Sequence, residues 1–129
     1  MAAANVMPDL SSYERVTKMG VPAIAQELEE LLGAKLVAYI AGVTEARAVR
    51  QWSRGEREPR PDVPERLRMA LRVAFMIAAA DGSGVAQAWF QGLNPQLEDR
   101  SPARLLREGN IEEVGRDILG AARSFVAGA

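Results

Sequence analysis

The sequence lacks both cysteine and histidine across its 129 residues. Without cysteine there is no disulfide framework and no thiolate metal site. Without histidine the commonest metal ligand and the usual general base near neutral pH are gone. Carboxylate chemistry is not excluded by this, but no constellation of residues supports catalysis. No catalytic residue, no metal ligand and no cofactor are therefore expected, and the chain reads as a non-enzyme. Aromatic residues are scarce, at 5% against a hydrophobic content of 48%. The core must be aliphatic, with Trp52, Phe75, Trp89, Phe90 and Phe125 as its large pieces. Long apolar runs are missing as well: the longest, Val73 to Ala80, is far too short to span a bilayer. The start MAAANVMPDLSSYERV has neither the basic head nor the apolar stretch of a secretion signal. No membrane association and a cytoplasmic location are the expectation. β-Branched alternating runs bounded by turn residues are absent too, which excludes a sheet.

What is present is charge, unevenly placed. The formal net charge is only -1, yet the stretch VTEARAVRQWSRGEREPRP, residues 43–61, holds five arginines. Basic residues outnumber acidic ones over 43–72, and acids prevail on both sides. A locally basic middle between acidic flanks suits a protein that meets an anionic partner at one place.

Helix punctuation is frequent, and an all-α bundle of about seven short helices follows from it. Pro22 can open a helix carrying Ile24, Leu28, Leu31 and Leu32 on one face, which Gly33 stops. A short helix over about 35–41 turns Leu36, Val37 and Ile40 inward and breaks at Gly42. Thr44 is placed to cap a third helix, Glu45 sets an anion at its positive end, and Gly55 ends it. Pro59, Pro61 and Pro64 make a linker. A long central helix then runs from Pro64 to about Ala80, and its second half, VAFMIAAA, is apolar all round and expected to be buried. Met69 and Met76 sit on it at core spacing. GSG at 82–84 lacks the lysine of a phosphate loop and reads as a turn. A helix VAQAWFQ stops at Gly92. Ser101 and Pro102 begin a short helix that Gly109 closes, and Asn110 opens the last helix with Glu113 three residues on. That helix is expected to bury Ile111, Val114, Ile118, Leu119, Ala122 and Phe125, leaving Glu112, Glu113 and Asp117 as a solvated acidic face. The division expected is an N-terminal extension over 1–20, a helix-turn-helix region and linker over 21–62, and a central helix with a C-terminal domain over 63–129.

The two helices joined through Gly42 and Val43, with small Ala38 where they approach, form a helix-turn-helix. On the second, Val49 and Trp52 face the first helix. Arg47, Arg50 and Arg54 share the opposite stripe at i, i+3 and i+7, with Gln51 beside them. Arginine offers a fork for guanine and glutamine one for adenine. The candidate DNA-binding residues are therefore Thr44, Arg47, Arg50, Gln51, Arg54 and Arg57. A homodimer would let two half-sites of an operator be read together. Which arginines meet bases and which meet phosphate is left open.

The same residues, IAGVTEARAVRQWSRGE, resemble the helix-turn-helix of Xre-type repressors, with one residue more between Thr44 and Trp52 than that pattern has. Further on, AWFQGLNPQLEDRSPARLLREGNIEEV resembles the toxin-binding C-terminal domain of the RES–Xre toxin–antitoxin class, the Xre/MbcA/ParS family. The matching elements are Trp89-Phe90, Asn94-Pro95, Leu97, Ser101-Pro102, Leu105-Leu106, Gly109 and Val114. Each of these positions also reads as core or punctuation. The resemblance implies an antitoxin that represses its own operon and silences a RES-domain toxin that destroys NAD. It implies that the C-terminal end covers the toxin's active site, which points to Phe125, Val126, Gly128 and Ala129, with the Ala129 carboxylate available to an arginine of the partner. The alternative is a stand-alone transcription regulator whose C-terminal domain serves dimerisation.

Overall fold

The computed structural model describes residues 8–128. Among them are eight α-helices, a single 3-10 turn and no strand, so the chain is all-α. The helices are α1 (Pro8–Thr17), α2 (Val21–Leu32), α3 (Ala34–Ala41), α4 (Ala46–Ser53), α5 (Val63–Asp81), α6 (Ser83–Gln91), α7 (Pro102–Glu108) and α8 (Ile111–Val126), with the 3-10 turn at Pro95–Leu97. The sequence reading had no place for α1, in which Ser12 and Val16 are the buried residues over 10–17.

α5 is the axis of the molecule. α1, α2, α6 and α8 pack around it, and α3 and α7 also touch it. Leu67, Ala70, Leu71, Val73, Ala74, Met76 and Ile77 of α5 are all buried, in one core shared with every other α-helix. The burial expected of its whole second half stops short: Ala78 is half-buried, and Ala79 and Ala80 are exposed. There α1 and α2 part, leaving a concavity of about 400 Å³ lined by Ser12, Arg15, Leu31, Phe75 and Ala78. The apolar run at that end consists of alanines, which forfeit little when left in water.

Two junctions are single residues. Gly33 (φ 85°, ψ 147°) joins α2 to α3, and Gly82 (φ 92°, ψ 166°) joins α5 to α6. These dihedrals lie where only glycine sits without strain, which is what allows a helix to restart after one residue. The expected turn at 82–84 is thus Gly82 alone, since Ser83 and Gly84 already belong to α6. α5 likewise starts at Val63, one residue ahead of Pro64.

Helices this short are marginal by themselves, so packing and capping must hold them. Their last carbonyls, which have no partner inside the helix, are met by long side chains from other helices. Arg68 Nη1 donates to Met19 O at 2.8 Å and to Val16 O at 3.3 Å, past and at the end of α1. Gln87 Nε2 donates to Leu31 O of α2 at 3.0 Å, and Arg107 Nη1 to Tyr39 O of α3 at 2.7 Å. Gln26 Nε2 reaches Ser53 O of α4 at 2.7 Å. Arg66 Nη1 donates to Leu106 O and to Gly109 O at the end of α7. At Gly109 a side chain is excluded by close approach: a Cβ there would lie 2.5 Å from Val114 Cγ1 and 2.8 Å from Leu105 O.

Trp52 of α4 is 2% exposed, and its indole Nε1 is buried with no hydrogen-bond partner. A buried donor left unpaired costs about 1–3 kcal/mol. Trp52→Phe removes that donor together with part of the ring. It is expected to change stability by less than about 1.5 kcal/mol, against about 3–5 kcal/mol for Trp52→Ala, which leaves a cavity. Chemical denaturation of the two variants checks this; a loss in Trp52→Phe as large as that in Trp52→Ala would overturn it.

Candidate functional site

α4 packs chiefly on α2 and α3, through Ala48, Val49 and Trp52, which leaves its opposite side to solvent. Its C-terminal end is held firmly. Gly55 N–H donates to Trp52 O at 3.1 Å and Glu56 N–H to Gln51 O at 2.9 Å, the paired closing bonds of a Schellman motif. Ser53 Oγ donates to Arg50 O at 2.8 Å. The N-terminal end differs from expectation. Thr44 lies in the turn and does not cap the helix; Glu45 holds the cap position in extended backbone and makes no side-chain capping bond.

Arg47, Arg50 and Arg54 are all exposed on the solvent side. Arg50 Nε lies 4.0 Å from Glu29 Oε2 of α2, an exposed pair of the kind that contributes little and yields readily to a stronger anion. Gln51 is half-buried and accepts a hydrogen bond from Arg57 Nη1 at 3.3 Å, which draws the arginine after the helix back onto its face. Thr44, Glu45, Arg47, Gln51 and Arg57 line one shallow concavity of about 400 Å³. Arg50 and Arg54 do not line it; they extend the same side of the helix toward α2 and the linker.

The basic residues sort into two groups. Arg66, Arg68 and Arg107 are engaged with helix carbonyls. Arg15 pairs with Glu27 and lies over the Phe75 ring at 4.0 Å, while Arg60, Arg100 and Arg104 pair with Asp62, Glu98 and Glu108. Arg72 lies over the Tyr13 ring at 4.9 Å. Among the described residues, by contrast, the guanidiniums of Arg47 and Arg54 have no hydrogen bond, ion pair or ring contact, a state shared only by the side chains of Lys18, Lys35 and Arg116. Guanidiniums left unpaired on a rigid, outward helix face are available for charge-assisted bonds to an anion.

A second surface lies at the C-terminal end. Phe125, expected in the core, is 39% exposed. It comes at the last turn of α8 and leans on Trp89 with ring centroids 6.4 Å apart, while Trp89 meets Phe90 edge-on at 5.4 Å. Ile111 and Val114 at the start of α8 are half-buried, so the buried stripe of this helix is confined to its middle, Gly115 to Ala122. Val126 is half-buried against the core, Gly128 is exposed, and Ala129 lies outside the described residues. Asn110 Oδ1 accepts from Glu112 N at 2.9 Å, so the cap falls one residue earlier than a box closed on Glu113.

Near this end is the loop between α6 and α7, which presents Leu93 at 76% exposure, the most exposed large apolar side chain among the described residues. The loop is built, not slack. Asn94 Oδ1 accepts from Gln96 N at 2.9 Å, Asn94 O accepts from Asp99 N at 2.9 Å, and Leu97 is buried beneath. Ser101 caps α7 as expected, accepting from Arg104 N at 3.2 Å. Glu98 and Asp99 hold positive φ of 57° and 60° in succession. Two consecutive left-handed residues other than glycine are strained, and strain of this kind concentrates where a loop must present a surface.

The chain matches a chain of the crystal structure of the M. tuberculosis MbcT–MbcA toxin–antitoxin complex with a TM-score of 0.60 and 28% sequence identity, covering 78% of this chain and 91% of that one. This chain is similar to the MbcA antitoxin. No family model and no curated protein matches it. The similarity is to the antitoxin of that complex and not to an enzyme. Among the described residues no acidic cluster is placed to hold a metal ion, and no helix is long and apolar enough to cross a membrane.

Sequence reasoning missed Leu93 and the exposure of Phe125. A lone leucine in a loop carries no periodic signal, and Phe125 falls on the apolar stripe of its helix one turn beyond the elements that would cover it. Glu45 was legible as an anion at a helix start, but its company in the concavity was not.

Proposed function

We propose that this chain is the antitoxin of a type II toxin–antitoxin pair, a non-catalytic protein that binds and neutralises a RES-domain, NAD-degrading toxin and represses its own operon. The observation that carries the reading is the likeness to the MbcA antitoxin over most of both chains, at an identity high enough to argue from more than fold. The C-terminal third supports the toxin-binding half. It offers Phe125, Val126 and Gly128 at the end of α8 and Leu93 on a built loop nearby, an apolar surface framed by polar residues of the kind that marks a protein interface. α3, the turn and α4 support the operator half, as a helix-turn-helix whose second helix enters the major groove with Arg47, Arg50, Gln51 and Arg54, while Thr44 and Arg57 flank it. A homodimer places two such helices on paired half-sites. The division into a DNA-binding part over 21–62 and a toxin-binding part over 63–129 is one of function, since both share the core built on α5.

The test is co-expression with a RES-domain toxin found encoded beside it. Growth and cellular NAD are expected to collapse with the toxin alone and to recover with this chain, and the two proteins to purify together. Recovery of neither growth nor NAD removes the reading. A stand-alone regulator predicts that outcome together with intact binding to its own promoter.

A further inference from the structure

The concavity at the start of α4 holds one acidic residue, Glu45, among Thr44, Arg47, Gln51 and Arg57. Three observations make its presence informative. It occupies the cap position yet makes no capping bond, whereas Asp, Asn or Ser there would cap; a glutamate carboxylate reaches beyond the backbone it would have to satisfy. It makes no ion pair with Arg47 or Arg57, or with any other described residue. And it is exposed at the N-terminal end of the helix, where a groove-bound helix brings its side chains against base edges. A carboxylate beside the unpaired Arg47 guanidinium opposes every phosphate that approaches. Over a group that donates a hydrogen bond, the same carboxylate gains an interaction that offsets this repulsion.

We infer that Glu45 is a base-reading residue. Its carboxylate accepts a hydrogen bond from an exocyclic amine in the major groove, cytosine N4 foremost, and it sets specificity by repelling duplexes that present none there. This rests on the DNA-binding reading above. Cytosine N4 is the group that a glutamate side chain takes in the major groove. Arg47 and Glu45 thus divide the work: one draws in all duplex DNA, and the other discriminates within it.

Binding of the protein's own upstream duplex and of a scrambled duplex of equal length, followed by fluorescence anisotropy at several salt concentrations, tests this. Glu45→Ala is expected to bind the scrambled duplex several-fold tighter, because a like charge is removed. The own-to-scrambled affinity ratio should fall by about tenfold, with the fold retained and at most a small drop in thermal midpoint, since the exposed carboxylate contributes only its attraction to the helix's positive end. Single-base substitutions should then show the lost discrimination at a cytosine of the operator. Glu45→Gln should retain part of the ratio, because its amide oxygen still accepts. If Glu45→Ala tightens both duplexes equally and leaves the ratio intact, the assignment fails while DNA binding stands. If the wild-type protein itself does not prefer its own duplex, both fall together.

Discussion

Alanine at both Arg47 and Arg54 is expected to abolish most of the affinity for duplex DNA while leaving the fold and toxin neutralisation untouched. These two guanidiniums have no partner among the described residues, so their removal breaks no internal bond. Each phosphate neutralised by a cation contributes about 0.9 to the slope of log affinity against log salt. The double variant should therefore show a slope smaller by about 1.8, with its largest deficit at low salt. Arg66 and Arg68 provide the contrast: they cap α7 and α1, so alanine there should lower stability before it touches DNA binding. Titrations at four or more salt concentrations, beside thermal melts of all variants, separate the two groups. A double variant with wild-type slope would mean that α4 does not face phosphate.

The second large effect concerns the other end of the molecule. Leu93→Asp is expected to weaken toxin binding by about 30-fold or more while leaving stability nearly unchanged. Leu93 is 76% exposed on a loop held by Asn94 and Leu97, so the free protein gains nothing from its side chain. In a complex the same position would bring an unpaired carboxylate into an apolar contact, which is costly, and losses of about 2 kcal/mol or more are typical where such an anchor is spoiled. Phe125→Asp should act in the same direction but with some loss of stability, because Phe125 leans on Trp89. Calorimetry of the purified pair measures both. Full affinity in Leu93→Asp would confine the toxin contact to the end of α8.

The legible parts of this protein share a physical cause. Gly33, Gly42, Gly55, Gly82, Gly92 and Gly109 act through the local chain, and each falls at the end of a helix or just past it. Ser101 and Asn110 cap through bonds to residues two or three ahead, so their role is visible in the sequence. Val49 and Trp52 repeat at helical spacing and are buried as that spacing requires. Where expectation failed, the deciding partner lay far along the chain. Phe125 shares the apolar stripe of α8, yet its exposure is set by where α6 and the loop at 93–100 end. α1 has a weak pattern of its own and is held by Arg68 and Arg72 of α5, roughly fifty residues away along the chain.

The arginines show the same division most sharply. Composition and periodicity alone established an all-helical chain without cysteine or histidine, with a basic stretch on a short helix and an apolar last helix. Those properties depend on neighbours within one or two helical turns. Which guanidiniums stay free is another matter. Arg66, Arg68 and Arg107 are chemically identical to Arg47 and Arg54, and only the packing of α1, α3 and α7 brings unsatisfied carbonyls within reach of the first three. Helix ends must find donors, and the tertiary arrangement decides which arginines supply them and which remain for a partner.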